Sequence, residues 1–502
     1  MSNSKRLLIS IQLITLLLII FLLSTAMILS LDTPFRLIDD YGDWRVNFSE
    51  VTNSIIHLNK GRFRPTFEIG NIFYWSLFGT NSTSHHAFRF LVKILSYILF
   101  YKIIFYAHYK QNIGALRNLK EYPLVSIISF GLFFIFPNNP EARLAPQELS
   151  TVFFLLSTSY FFICVKKTTF NYMLSLVSFI LLLWSKETNI FPGFVLLCVV
   201  FYDFRKIKIK SRILYILPFL LFYVFTFIKV YYAAQSGYGT ETRDIYGVLK
   251  NIRYVFINLF MPGNRPDIVM SGFLLFPFIY SVKEKIFSKV ILEKEFLIIF
   301  FLFLSLAFTF VIGWAPILRY MYPAVVLYLM CFLLLLIKVT PVLDQKTISV
   351  WFLLFVLTIS QNYIFQFETQ RSAGIFEEAV LLELENTCEN SSIGLIDKNE
   401  FFDKVNIYFL HFSSGCTKIN FSNTNKDFLL TMNKKNIPDG WKISKVLKTK
   451  LNETPISDKI SLYTKVLRPI SFIKEKYNYR WIDAGVGRPI PWYLLEKVSS
   501  HP

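Results

Sequence analysis

The sequence predicts a polytopic α-helical membrane protein, residues 1–365, followed by a small α/β domain, residues 366–502. Three observations predict this fold class. Hydrophobic residues make up 54% of the chain and charged residues 17%, against averages of roughly 45–50% and about 25% in soluble domains. Long apolar runs recur throughout the first part of the chain. The second part lacks such runs and contains short, strand-like segments instead.

Eleven apolar segments are predicted to span the membrane. A hydrocarbon core of about 30 Å requires roughly 20 apolar helical residues, and several segments are shorter than this. The predicted spans are residues 8–30, 87–107, 123–137, 148–165, 170–185, 188–204, 213–233, 268–282, 296–313, 320–338 and 348–365. The first is long and lacks a small-residue cleavage site, which favours a retained helix over a signal peptide. Around residues 184–188 the sequence leaves the number of spans open.

Basic residues occur in every second connection between the predicted spans. The groups are Lys5/Arg6, Lys110/Arg117/Lys120, Lys166/Lys167, Arg205 to Arg212, Lys283 to Lys294 and Lys338/Lys346. Basic residues in short loops mark the cytoplasmic side, so we expect a cytoplasmic N terminus. The opposite side then receives residues 31–86 as a first outer loop, residues 138–147, 185–188, 234–267 and 314–319, and the C-terminal domain. Long connections of this kind often carry function.

The net charge of +19 raises the question of a nucleic-acid partner. Of the 53 basic residues, 34 precede residue 365, together with 18 of the 34 acidic residues. The excess positive charge therefore lies largely in short loops between apolar segments, where it is an orientation signal and not a binding groove. We exclude nucleic acid as a partner and expect membrane lipid instead.

The C-terminal part is predicted to begin with an amphipathic helix at Ala373 to Asn386, because apolar residues recur there at helical spacing. Strands are predicted at residues 392–396, 427–431, 441–446 and 459–466. Cys388 and Cys416 both belong to this part and are predicted to form a disulfide if the compartment is oxidising. The remaining cysteines, Cys164, Cys198 and Cys331, lie in apolar spans and are predicted to be buried.

Ionisable residues near the outer ends of the spans are the candidate functional residues, because an unpaired charge in lipid is costly. They are Asp39 and Asp40 after the first span, Arg62 and Arg64 in the first outer loop, His86 at the start of the second span, Glu141 after the third, Lys186 and Glu187 between the fifth and sixth, and Arg319 with Tyr320 before the tenth.

Each of these motifs also has a purely structural interpretation. Adjacent aspartates are common in solvated turns, and a basic segment such as Lys60 to Arg64 can contact anionic lipid. Lys186 and Glu187 can neutralise each other, Arg319 can extend to the membrane surface, and Glu148 can simply cap its helix. All the motifs lie on the same predicted side of the membrane, which favours a functional interpretation.

The order of these motifs resembles that of the polytopic GT-C glycosyltransferases. The pattern is an acidic pair after the first helix, Arg-Pro, Phe-Gly before a helix that opens with His, Pro-x-x-x-Glu-Ala, Lys-Glu, and Arg-Tyr-x-x-Pro. It is most similar to the transmembrane and tetratricopeptide-repeat O-mannosyltransferases and their bacterial relatives, over about residues 1–340. The repeats themselves are missing, and the region around Met261-Pro262-Gly263 matches only loosely.

The resemblance implies transfer of a sugar from a polyprenyl-phosphate donor to an acceptor hydroxyl outside the cytoplasm. Asp39 or Asp40 would be the general base. Lys186 and Arg319, helped by Arg62 and Arg64, would bind the departing phosphate. His86, Glu141, Glu187 and Tyr320 match supporting positions. The acceptor, a glycan, a lipid or a protein, stays open.

Carboxylates such as Asp39, Asp40 and Glu141 could bind a divalent metal, but Lys and Arg suffice for a monophosphate, so no cofactor is predicted. The alternative functions are an O-antigen-type polymerase or ligase and a polytopic transporter. A transporter would be expected to show repeated halves or broken helices at the midplane. The abundance of Ile, Lys, Asn and Phe indicates a bacterial inner-membrane protein with a periplasmic C-terminal domain, although sequons such as Asn81-Ser82-Thr83 would equally suit the endoplasmic reticulum.

Overall fold

The fold is known from a computed structural model of the 502-residue chain. The structure describes residues 3–33, 48–57, 62–79, 81–110, 121–136, 146–165, 168–205, 209–234, 245–260, 268–312, 320–341 and 343–360, and in the C-terminal part residues 363, 367, 382, 384, 386, 393–396, 419–420, 427–431, 437–447 and 492–497. The chain forms two compact units, residues 1–27, 47–77 and 85–363 in one and residues 28–46, 78–84 and 364–502 in the other.

Helices dominate the described part of the first 365 residues. They are α1 (Asn3–Leu31), α2 (Phe48–Ile56), α3 (Pro65–Phe78), α4 (Ser82–Tyr109), α5 (Pro123–Ile135), α6 (Pro146–Ile163), α7 (Thr169–Leu183), α8 (Ile190–Asp203), α9 (Ile209–Ala234), α10 (Ile245–Phe260), α11 (Ile268–Lys283), α12 (Phe287–Val290), α13 (Lys294–Ile312), α14 (Tyr322–Val339) and α15 (Gln345–Ser360).

A helix coincides with each apolar segment that the sequence predicts to be a span. By length and composition, five helical segments in the described residues can cross a membrane: Lys5–Leu31, Ser82–Tyr109, Ile213–Ala233, Lys294–Val311 and Tyr322–Val339. Helices such as α5, α7, α11 and α15 are apolar but shorter. The chain is therefore a helical membrane protein, and the count of eleven crossings stays a prediction.

Burial separates apolar helices that look alike in sequence. In the apolar stretch of α1, 22% of the residues are buried inside the protein, whereas in that of α14 the share is 94%. Apolar side chains of α1 such as Leu17 and Ile28 lie on the surface, where lipid can cover them. Phe332 and Leu333 of α14 are fully enclosed by other helices. The core of the helical unit is thus centred on α14.

Close packing around Gly131 joins α1, α5 and α15. A Cβ atom at this position would lie 2.8 Å from the Phe352 ring and 2.9 Å from Ile19, which is closer than real side chains approach. A larger residue would force the side chains of Phe352 and Ile19 to shift, so glycine allows the three helices to pack closely here.

The chain reverses direction between α7 and α8. The rings of Tyr172, near the start of α7, and Phe204, at the end of α8, lie 6.2 Å apart. The two helices are therefore antiparallel, and a turn with a short 3-10 segment, Glu187–Asn189, joins them. The structure shows two helices here, whereas the number of membrane crossings that they make stays a prediction.

At one end of the helical unit, basic and acidic side chains from four helix ends meet. The Lys110 ammonium contacts the carboxylates of Glu293, at 3.2 Å, and Glu295. Lys338, at the end of α14, donates to Glu293 at 2.8 Å. The neighbouring Lys294 pairs with Asp203, at the end of α8. We call Lys110, Glu293, Glu295 and Lys338, with the pair Lys294–Asp203, the Lys110 network.

The described residues of the C-terminal part form a mixed five-stranded sheet of order β2-β1-β3-β5-β4. Its strands are β1 (Ile393–Leu395), β2 (Ile419–Asn420), β3 (Phe428–Thr431), β4 (Trp441–Leu447) and β5 (Trp492–Lys497). β1 runs parallel to β2 and β3, and β5 runs antiparallel to β3 and β4. Leu429, Tyr493 and Leu495 form a small apolar core on it.

The predicted strands at 392–396, 427–431 and 441–446 correspond to β1, β3 and β4, whereas β2 and β5 were not predicted. The predicted strand at 459–466 lies outside the described residues, as do Cys388 and Cys416. Cys164 and Cys331 are buried as predicted. The same prediction for Cys198 is wrong, because this residue occupies an outward position of α8 and is exposed.

Candidate functional site

The turn between α7 and α8 is held rigidly by its own side chains. Asn189 donates from Nδ2 to the carbonyl of Leu182 and to the Ser185 hydroxyl, both at 2.8 Å. The backbone amide of Asn189 closes the turn on the carbonyl of Lys186 at 3.0 Å. Lys186 and Glu187 are consequently presented in a fixed backbone conformation and both are buried.

Lys186 forms a buried ion pair with Glu148 of α6. The ammonium lies 3.0 Å from Glu148 Oε1, and the side chains are 4% and 0% exposed. The ring of Tyr320 lies 4.7 Å from the same nitrogen, at a distance typical of a cation–π contact. The interpretation that Lys186 and Glu187 neutralise each other is therefore wrong, because the packing of α6 beside α7 supplies Glu148 as the partner.

Arg64, which directly precedes α3, lies in the same region. Its guanidinium donates to Gln147 Oε1 at 3.3 Å and lies 3.6 Å from Glu68 Oε1. Gln147 immediately precedes Glu148 in α6. The backbone amide of Thr66 also donates to the carbonyl of Trp184 at 3.1 Å, so this part of the loop rests directly on the α7–α8 turn.

We call Arg64, Gln147, Glu148, Lys186 and Tyr320 the Lys186 cluster. Its members come from four regions of the sequence and all belong to the helical unit. The cluster contains two cations held by neutral or acidic side chains, in a place from which most water is excluded. Low solvent content strengthens each of these polar contacts.

Glu187 differs from the other acidic residues near the turn. It is 8% exposed, and among the described residues its Oε1 atom has no hydrogen-bond partner. The amide oxygen of Asn189 is likewise buried without a partner there. Buried polar atoms normally have a partner, so these two acceptors are positions at which a ligand or water could donate.

His86 and Arg62 are placed on separate elements. His86 is 6% exposed in the first turns of α4, next to His85, whose ring lies 4.8 Å from Trp75. Arg62 directly precedes the buried Phe63 and Arg64. Asp39, Asp40, Glu141 and Arg319 lie outside the described residues, so their predicted convergence with Lys186 stays a prediction. Among the described residues, no group of three His, Cys, Asp or Glu side chains could hold a metal ion.

Several ionisable residues that the helical unit buries were not predicted as candidates. Glu148 looked like a helix cap, and Glu68, Lys93 and Lys229 were not singled out, although each is an ionisable residue that the structure buries. A charged residue in or beside an apolar helix is unusual, and that signal alone could have identified Lys93 and Lys229.

The chain matches no protein-family model, and comparison with curated proteins and with solved structures finds no significant match.

Proposed function

We propose that this protein is a membrane glycosyltransferase of the GT-C type. It would transfer a sugar from a polyprenyl-phosphate donor to an acceptor hydroxyl on the extracytoplasmic side, with an eleven-span catalytic domain and a separate C-terminal domain, in a bacterial inner membrane. The order of the sequence motifs supports this proposal, and one structural observation carries it. Lys186 and Arg64, more than a hundred residues apart, are buried side by side with Gln147 and Glu148 at one end of the helical unit.

A cation pair at the end of membrane helices suits a lipid-linked phosphate. Phosphate is bound by fixed Lys and Arg side chains, and charge that develops on the leaving group is best stabilised by groups that need no rearrangement. Lys186 is held by Glu148 and by the Tyr320 ring, and Arg64 by Gln147 and Glu68. Their positions are therefore set before a donor arrives.

In this mechanism, Asp39 or Asp40 accepts the proton of the acceptor hydroxyl while that oxygen forms a bond to the anomeric carbon. The bond from this carbon to the phosphate oxygen breaks, and polyprenyl phosphate leaves with the electron pair. Arg64, Lys186, Arg62 and Arg319 would balance its charge, with His86, Glu141, Glu187 and Tyr320 as supporting residues. The acceptor is a glycan, a lipid or a protein hydroxyl.

The test is turnover by the purified protein with a panel of polyprenyl-phosphate sugars. We expect Asp39→Asn/Asp40→Asn to abolish transfer and leave donor binding in place, because a general base acts mainly in the transition state. Arg64→Met should weaken donor binding as well. Lys250→Met, at an exposed position on α10, is the matched control. Full activity of the double aspartate variant would refute the mechanism.

Transport is a second candidate, and one observation favours it. Lys93 is 2% exposed within α4, and its ammonium lies 5.4 Å from the ring of Phe134. Ionisable groups within membrane spans often mark ion or substrate pathways. Uptake into proteoliposomes that depends on Lys93, without sugar transfer by the same preparation, would favour transport over transferase activity.

A further inference from the structure

Lys229 is a buried lysine near the end of the apolar helix α9, and it is 4% exposed. Its ammonium donates to the backbone carbonyls of Ser54, at 3.1 Å, and His57, at 2.6 Å. Among the described residues, no carboxylate lies within ion-pair distance of this nitrogen. A buried cation needs compensation, and here backbone carbonyls provide it.

The two carbonyls lie at the C-terminal end of α2, a nine-residue helix of the first outer loop. The last carbonyls of a helix have no partner within the helix, and the end of the helix carries partial negative charge. An ammonium placed there satisfies the carbonyls and is itself stabilised. Lys229 therefore caps α2 from a different helix, 172 residues further along the chain.

Aromatic side chains extend this contact to the α7–α8 turn. The Lys229 ammonium lies 6.0 Å from the ring of Phe63 and 5.4 Å from that of Phe225. Phe63 packs edge-on against Trp184, with ring centroids 6.2 Å apart. Trp184 is fixed in turn, since its indole N–H donates to the Thr226 hydroxyl at 3.0 Å.

Arg64 follows Phe63 directly and reaches Gln147 beside the Lys186–Glu148 pair. The first outer loop is thus attached to the bundle at both ends of residues 54–66, by Lys229 at one end and by the Thr66–Trp184 hydrogen bond at the other. Arg62 and Arg64 lie between these two attachments.

We propose that Lys229 is a positioning residue that holds the first outer loop on the bundle and thereby sets the place of Arg62 and Arg64. The first part of this proposal, that Lys229 holds the loop, depends only on the observed contacts of Lys229 and not on the proposed function. The effect on donor use rests on the proposed transferase function. Lys229 acts through the backbone of α2 and needs no contact with the donor.

The test is limited trypsin digestion of the full-length protein in lipid nanodiscs, because the loop contains Lys60 and Arg62, neither of which is followed by proline. Lys229→Met keeps the apolar stem and removes the ammonium, and cleavage at these sites should accelerate at least about tenfold, since two charge-assisted hydrogen bonds are lost. Lys229→Arg should stay near the wild-type rate. Lys250→Met is the control for loss of a lysine from an outer segment.

If the Met variant does not fold, Lys229→Gln replaces it, because the amide still donates hydrogen bonds without charge, and its cleavage should rise by a smaller factor. Cleavage at the wild-type rate in every folded variant that lacks the ammonium overturns the proposal. Donor KM should rise in the variants with faster cleavage and recover in Lys229→Arg. Faster cleavage with unchanged kinetics overturns the positioning role, whereas faster cleavage with no sugar transfer by the wild-type protein supports the attachment and refutes the transferase function.

Discussion

The two ends of the helical unit hold their charges in different ways. Tyr320 precedes α14 and Lys338 belongs to its last turn, so the Lys186 cluster and the Lys110 network are separated by the length of an 18-residue helix, about 27 Å. Lys186 and Glu148 are 4% and 0% exposed. In the Lys110 network, Lys110 is 47% exposed and Lys294 is 45% exposed. One end thus holds the buried Lys186–Glu148 pair beside the nearly buried Arg64–Glu68 pair, whereas the other shares several partly exposed charges.

The physical consequence of this difference is an asymmetry in stability. Exposed ion pairs contribute about 0–1 kcal/mol because water screens them. In a buried pair, the attraction between the charges is largely offset by the free energy needed to remove both from water. Removing one partner, however, leaves an unpaired buried charge that costs about 3–5 kcal/mol. A protein has no stability reason to keep a buried pair that apolar side chains could replace, which favours a functional role for Lys186 and Glu148.

The largest effect is expected for Glu148→Gln. The Lys186 ammonium would stay buried without its counter-charge, so unfolding of the detergent-solubilised protein should become easier by about 3–5 kcal/mol. The double variant Glu148→Leu/Lys186→Met should recover most of this loss, because no buried charge remains. A single variant as stable as the wild type would show that the pair is better hydrated than its burial indicates.

A smaller effect is expected for Lys110→Met at the other end. This lysine contacts both Glu293 and Glu295 but is half exposed, so the stability loss in the same unfolding assay should stay below about 1 kcal/mol. Lys346→Met, an exposed lysine at the start of α15, provides the baseline. A loss as large as that of Glu148→Gln would remove the distinction between the two ends.

Acid should weaken the Lys110 network. Burial raises the pKa of Glu293, but Lys338 and Lys110 lower it more, and the net pKa lies below the usual value. A depressed carboxyl pKa stabilises the folded state above the unfolded pKa of about 4.3, and this stability is lost as the pH falls through the folded pKa. Thermal unfolding from pH 7 to pH 3 should therefore show a steeper acid loss in the wild type than in Glu293→Gln. Equal slopes would exclude this role of Glu293.

Salt should give the smallest effect. At 1 M salt the screening length is about 3 Å, compared with about 10 Å at 0.1 M. Salt screens exposed charges strongly and buried charges much less. At 1 M salt, the destabilisation caused by Lys110→Met should therefore shrink by a few tenths of a kcal/mol. That of Glu148→Gln should stay unchanged within error. Salt dependence of both variants would indicate that water reaches Lys186.

The sequence allows the helices to be located but not the partners of their side chains. Each predicted span coincides with a helix because hydropathy is a local property. The basic residues Lys110, Lys294 and Lys338 were predicted on one side, and the structure brings them into one region. The pairing of Lys186 with Glu148 was missed, since it depends on which face of α6 meets α7.

In the C-terminal part, too, the sequence allows most strands to be located but not their partners to be predicted. β1, β3 and β4 could be recognised as short apolar or alternating segments, and β5 was overlooked although it pairs with two other strands. Strand pairing joins residues far apart in sequence, such as Leu429 and Leu495, and no local pattern encodes which strands become neighbours.

By itself, the sequence determined that this is a helical membrane protein with charged residues at the ends of its apolar segments, because composition and periodicity act locally. Only the tertiary structure decided that α14 is enclosed while α1 faces outward, that Lys186 pairs with Glu148 and not with Glu187, and that Lys229 caps α2. Each of these depends on the rotation and neighbours of whole helices. Lipid and protein interior are equally apolar surroundings, so hydropathy cannot distinguish the face that packs from the face that meets lipid.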